Sequence, residues 1–193
     1  MKKVCILKGS PRKEGNTNAL VSHFTKALES KDNIVKSFDL YDMKLEGCLA
    51  CRSCQKDHTK FGCIHSDDMQ DIFDAVMDCD LLVLASPIYS WYCTPPMKAV
   101  LDRMVYGMNK FYGESVGPAL WEGKNVAIIT TCGYRPDKGA DLFEEGIRRY
   151  CKHSHLNYRG MLVERHLGYN TVFMDDAKAA HAEDFAHTLM AQL

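Results

Sequence analysis

No stretch of this 193-residue chain is long and apolar enough to cross a bilayer; the longest apolar run is Leu81–Ala85. Charge of one sign is also lacking. Lys and Arg number 24 and Asp and Glu 25, a formal net charge of −1, which argues against a nucleic-acid surface. There is no linker, repeat or low-complexity segment, so one domain over residues 1–193 is expected. A signal peptide of the usual three-part form is missing, and a cytoplasmic location is the matching expectation. Neither a Gly-x-Gly-x-x-Gly dinucleotide turn nor the Lys-Ser/Thr ending of a triphosphate P-loop occurs. No Ser-His-Asp order is readable and no carboxylate pair stands out, so no side chain is named as catalytic.

What is present begins with alternation. Apolar runs at Lys3–Lys8, Asn33–Leu40, Asp80–Ala85, Asn125–Thr131 and Leu156–Val163 read as strands. Between and after them, Asn18–Ser30, Asp68–Asp78, Pro95–Gly107, Lys138–Lys152 and Asp175–Leu193 carry helical periodicity. The β-α-β-α order implies parallel strands with right-handed crossovers. The expected fold is α/β, a three-layer α/β/α sandwich around a five-stranded parallel sheet. Such sheets bind ligands at the carboxyl ends of their strands, which directs attention to loops 9–17, 47–67, 86–94 and 131–137.

Gly9-Ser10-Pro11-Arg12-Lys13-Glu14-Gly15-Asn16-Thr17 joins the first strand to the first helix. The first amides of a helix lack internal partners and the helix dipole favours an anion there. Ser10, Asn16 and Thr17 add donors and Arg12 a cation, which suits a terminal phosphate. The alternative is an ordinary helix cap by Asn16 or Thr17. After strand three, Ser86-Pro87-Ile88-Tyr89-Ser90-Trp91-Tyr92 is proline-rich and aromatic, a wall for a flat ring or else a turn packed on the next helix. In Thr131-Cys132-Gly133, the glycine lets backbone approach a ligand, and Cys132 reads as well as a small buried residue.

Three segments in this order, Gly9-Ser10-Pro11-Arg12…Gly15-Asn16-Thr17, Ser86-Pro87-Ile88-Tyr89 and Lys98-Ala99-Val100-Leu101-Asp102-Arg103, resemble the flavodoxin-like NAD(P)H-dependent FMN reductases, and most closely their iron–sulfur flavoprotein branch. The resemblance implies a flavodoxin-like, FMN-binding domain. It implies that Ser10, Arg12, Asn16 and Thr17 hold the FMN phosphate. Pro87, Ile88, Tyr89 and Trp91 would border the isoalloxazine, with backbone amides near its polar edge, and Thr131, Cys132 and Gly133 would close the other side. It also implies a homodimer or homotetramer, with 47–67 and 106–121 as contact pieces.

Nine cysteines are many for this length, and an odd count without an export signal suits a reducing compartment rather than a disulfide scaffold. Four are clustered as Cys48-x-x-Cys51-x-x-Cys54-x8-Cys63. Soft thiolates at this spacing suit zinc or an iron–sulfur cluster. The resemblance implies a four-iron–four-sulfur cluster here, although the last gap is longer than that branch usually shows. Three readings stay open: a cluster that relays single electrons, a structural zinc, and free thiols.

Two functions follow as expectations. One is an FMN oxidoreductase passing electrons from NAD(P)H to a small acceptor such as a quinone, a nitro or azo compound, or another flavin. The other is an iron–sulfur flavoprotein electron carrier whose cluster on Cys48, Cys51, Cys54 and Cys63 exchanges electrons with ferredoxin-like partners.

Overall fold

A computed structural model describes residues 1–168 and 170–193. Five strands form one sheet, β1 (Lys3–Lys8), β2 (Ile34–Asp39), β3 (Leu81–Pro87), β4 (Asn125–Cys132) and β5 (Asn157–Arg165). Their order is β2-β1-β3-β4-β5 and every pairing is parallel. The helices are α1 (Asn16–Glu29), α2 (Met69–Asp78), α3 (Pro95–Met108), the single turn α4 (Pro136–Gly139), α5 (Asp141–His153) and α6 (Asp176–Ala191). The expected three-layer architecture is present.

Alternate side chains of the central strands feed two cores. Val4 and Ile6 of β1, Leu81 and Val83 of β3, and Ala127 and Ile129 of β4 face α1 and α6. Cys5 and Leu7, Leu82 and Leu84, and Val126 and Ile128 face α2, α3 and α5. A strand covered on both faces reads as an unbroken apolar run, which is why β1 and β3 are plain in the sequence. Edge strand β2 shows no buried residue and carries Lys36 and Ser37 outward. Cys5, Cys79 and Cys151 are buried fillers of the second core.

Boundaries differ from the sequence expectation where caps are unusual. Helix α1 starts at Asn16, two residues earlier than periodicity suggests, because its cap is Gly15 rather than a polar side chain. The helix expected over 138–152 is two pieces, broken at Ala140. Strand β3 runs on through Pro87, and Ile88 extends the ladder by donating its N–H to Thr131 O at 2.9 Å.

Helices α2 and α3 also support a long excursion, residues 40–68, that leaves the sheet after β2 and holds only one short 3₁₀ turn, Ser53–Gln55. No helix among the described residues is long and apolar enough to cross a membrane.

Candidate functional site

The order β2-β1-β3-β4-β5 reverses direction at β1/β3, and a cavity of about 200 Å³ opens at the carboxyl ends of the strands there. Ser10, Arg12, Asn16, Thr17, Pro87, Ile88, Tyr89 and Thr131 all line it. The first β-α loop, the end of β3 and the end of β4 are thus brought together.

Local hydrogen bonds shape this cavity. Ser10 Oγ accepts from the Arg12 amide at 3.2 Å and donates to Arg12 O at 3.1 Å, which folds the loop back on itself. Asn18 Nδ2 donates to the carbonyls of Arg12 and Lys13, both at 3.0 Å, so those oxygens turn toward the helix flank. A Cβ on Gly15 would sit 3.0 Å from Arg12 O and 3.3 Å from Ser10 Oγ. The Gly9 carbonyl accepts from Thr94 Oγ1 at 2.7 Å, which ties the loop to the start of α3. Thr17, 1% exposed, shares a 2.8 Å hydrogen bond with Thr131 across the cavity floor. Either oxygen can donate, which leaves the other hydroxyl proton for a ligand.

The α1 N-terminus supplies the electrostatics. No side chain caps it and no acidic residue lies in its first turn. An uncapped helix end beside an arginine and two hydroxyls needs an external acceptor, and a phosphate supplies one. The residues present therefore fit the phosphate of FMN, with Pro87, Ile88 and Tyr89 bordering the rest of the cavity.

Three candidates are placed elsewhere. Trp91, Cys132 and Gly133 line a second cavity of about 140 Å³, which shares Ile88 with the first. The cause is a tight turn. Tyr89 and Tyr92 exchange both backbone hydrogen bonds, and the intervening Ser90 and Trp91 have φ of 50° and 64°. This swings the indole onto Tyr134, with ring centroids 5.8 Å apart and planes 14° from parallel, and its N–H donates to Lys138 O at 3.1 Å. Cys132 is buried, donates to Tyr134 O, and burial pushes its thiol up from the ordinary value. The amides of Ile88 and Tyr89 donate to Thr131 O at 2.9 Å and Tyr92 O at 2.8 Å.

Sequence reasoning missed His166, Gly168 and Thr171, which follow β5 and also line the first cavity. The rule that directed attention to strand ends would have reached them, since β5 is the fifth carboxyl end.

Cys48, Cys51, Cys54 and Cys63 line another cavity, narrow and almost wholly apolar, between the 47–65 loop and α3. Ala50 and Arg52, with φ of 52° and 58°, curl the backbone between the first three cysteines, and Gly62 (φ 65°) precedes the fourth. Sulfurs of three cysteines accept N–H groups. Ala50 N donates to Cys48 at 3.4 Å, Gln55 Nε2 to Cys54 at 3.8 Å, and Arg103 Nη2 to Cys63 at 3.2 Å. The Ser53 hydroxyl beside Cys51 lowers that thiol from its ordinary value, whereas burial raises Cys54.

Buried ions hold this loop. Arg103 forks onto Asp67 at 2.5 and 2.9 Å, and both side chains are 2% exposed. Burial pushes the Asp67 carboxyl up, but Arg103 and the amides of Glu46 and Met69 outweigh it and hold it below the ordinary carboxylate value. Lys110 is fully buried and donates to the carbonyls of Cys54, Lys60 and Phe61. Gln55 clips the loop to Tyr106 O, Asn109 O and the Tyr112 amide.

Among the described residues, no three His, Cys, Asp or Glu side chains converge as a single metal ion requires. A cluster of four irons holds its thiols apart, and two buried nitrogens in this wall, Arg103 Nε and His65 Nε2, lack a partner among the described residues. Sulfur acceptors would satisfy them, so the donor set fits a cluster better than zinc.

Comparison with known proteins agrees with this geometry. An iron-sulfur flavoprotein of Archaeoglobus fulgidus is 37% identical over 108 residues, 55% of this chain and 47% of that protein. One from Methanocaldococcus jannaschii is 34% identical over 101 residues, 52% of this chain and 50% of that protein. The match thus spans about half the length of these curated relatives. An NAD(P)H:quinone oxidoreductase from Methanothermobacter marburgensis superposes with a TM-score of 0.69 at 19% identity, covering 98% of this chain and 97% of that one. An azoreductase gives 0.67 at 16% identity, covering 99% and 100%. These neighbours establish the fold. Residues 2–141, most of the chain, match a family model directly, and the chain belongs to the NADPH-dependent FMN reductase family.

Proposed function

We propose that this chain binds FMN in the cavity at β1/β3 and passes electrons from NAD(P)H to a small acceptor, a quinone, a nitro or azo compound, or another flavin. The observation that carries this is the uncapped start of α1 opening into a cavity lined by Ser10, Arg12, Asn16 and Thr17. Bound there, FMN supplies the redox chemistry, as a two-electron acceptor from a nicotinamide.

The protein's part is position and field. The first-turn amides, Arg12 and the hydroxyls hold the phosphate and so fix how deep the cofactor sits. Pro87, Ile88, Tyr89 and Thr131 line the same cavity and would border the ring. Tyr89, 46% exposed, leaves room beside the ring for nicotinamide and acceptor in turn. No side-chain acid or base is needed.

A second reading is favoured by the thiol cavity with its N–H donors: an iron–sulfur flavoprotein carrier serving ferredoxin-like partners. Assembly as a dimer or tetramer goes with either, and exposed Leu49, Ile64 and Val116 lie on the pieces expected at contacts.

Titration of the chain with FMN under fluorescence detection tests the shared claim. Quenching to a one-to-one end point is expected, and its absence overturns the proposal. Anaerobic bleaching by NADH or NADPH then marks the reductase. Reduction by a ferredoxin-like donor alone marks the carrier.

A further inference from the structure

Arg103 carries more than a loop clip requires. Its Nη1 and Nη2 already fork onto Asp67, yet Nη2 also donates to Cys63 Sγ at 3.2 Å, and Nε lies buried in the thiol cavity wall with no partner among the described residues. A second cation is Lys110, a fully buried ammonium that donates to the Cys54 carbonyl as well as to those of Lys60 and Phe61. It interacts electrostatically with the Cys54 sulfur and with Asp57, and has no carboxylate within ion-pair distance among the described residues. Burying an ammonium against carbonyls alone is costly unless something anionic shares the site. Arg103 with its unsatisfied Nε lines the same apolar cavity as the four cysteines, and Lys110 reaches it through the Cys54 carbonyl.

We propose that Arg103 is a positioning residue that raises the reduction potential of an iron–sulfur cluster held by Cys48, Cys51, Cys54 and Cys63, with Lys110 adding to the same field. This rests on the cluster reading of the loop. The step concerned adds one electron to the cluster. The donor is flavin reduced by NAD(P)H, and no bond or proton need move. Four thiolates give the cluster a net negative charge that grows by one on reduction. Hydrogen bonds and cations near sulfur favour the more negative form, and the apolar wall strengthens both. Asp67 acts in the opposite sense, because its charge partly cancels that of Arg103.

The test uses the full chain, anaerobically loaded with FMN, ferrous iron and sulfide. Iron, sulfide and FMN are counted and the cluster potential is read by an EPR-monitored titration. Arg103→Lys keeps the charge but removes Nε and the fork, and Arg103→Gln removes the charge as well. Both are expected to lower the potential. For Arg103→Gln the one-electron reduction constant should fall at least tenfold, about 59 mV. Asp67→Asn keeps an acceptor for Arg103 and is expected to raise the potential. Opposite signs from the two partners of one ion pair are not the signature of a purely structural clip. Shifts below twofold, or of the same sign, with the cluster intact overturn the proposal. So does loss of the cluster in both arginine variants with an unchanged potential in Asp67→Asn. Wild-type chain that binds FMN but no iron or sulfide removes the cluster reading itself and leaves the FMN reading standing.

Discussion

The two cavities are built by opposite means. The one at β1/β3 is made of backbone: strand ends, a tight loop and a helix start, all supported by the sheet. Its lining includes no carboxylate among the described residues, and it is polar because the fold makes it so. The thiol cavity lies off the sheet in a long excursion with one short 3₁₀ turn, and buried side-chain ions hold it. The first can lose a side chain and keep its shape. The second depends on Arg103, Asp67, Lys110 and Gln55 for its shape.

Removing one ion should therefore separate them most sharply. Asp67→Ala leaves the Arg103 guanidinium buried without its carboxylate, which costs about 3–5 kcal/mol. Thermal unfolding should shift down, limited proteolysis should cut within 40–68 first, and FMN affinity of the folded fraction should be retained. Equal loss at both cavities would show that they are one cooperative unit.

Acid should do the same more gently. The folded-state pKa of Asp67 is held below its ordinary value, so its contribution is full above about pH 4, near the unfolded carboxylate value, and is lost as pH falls through the folded value. Proteolytic opening of 40–68 is expected below pH 4, before FMN is released.

A third break is steric. A Cβ on Gly107 would run into the Phe61 ring, which stacks on Phe73 at 4.5 Å between centroids. Gly107→Ala should cost about 2 kcal/mol by overpacking and displace the cysteine loop, with FMN binding unchanged.

The same contrast explains what could be read from the sequence. Val4-Cys5-Ile6-Leu7 and Leu81–Ala85 announce buried parallel strands, and the loop order then places the first cavity with no further information. Trp91 could not be placed this way. Its position follows from left-handed backbone at Ser90 and Trp91, residues that rarely adopt it. The four cysteines are visible as a motif, but the ions that hold them are not, since a lysine or arginine reads as surface. Arg103 did leave a trace, because it falls on the stripe of Val100, Met104 and Gly107 that α3 buries. Lys110 left none; its burial depends on carbonyls from a segment fifty residues away.

At the first cavity the effects should be smaller and local. Arg12→Ala is expected to weaken FMN binding about tenfold, near 1.4 kcal/mol, with a melting temperature within a degree or so of wild type. Thr17→Val should weaken binding less, and it also costs about 1 kcal/mol of stability because Thr131 loses its buried partner. A large stability loss in Arg12→Ala would mean that the loop depends on side chains after all, as the thiol loop does.

The smallest effect should come at the strained turn beside Ile88, the edge that the first cavity shares with the small cavity lined by Trp91 and Cys132. Ser90 adopts a left-handed conformation that a serine side chain disfavours and glycine accepts freely. Ser90→Gly removes that steric cost but gives the unfolded chain more freedom, so the two terms oppose each other. A net gain of about 0.5 kcal/mol or less is expected by chemical denaturation. If the turn serves only to aim Trp91 at Tyr134, relaxing it should let the indole move and lower its protection from solvent quenchers while FMN affinity stays put. A parallel loss of FMN affinity would instead mean that the indole reaches the cofactor in the loaded protein, and that the two cavities sharing Ile88 act as one site.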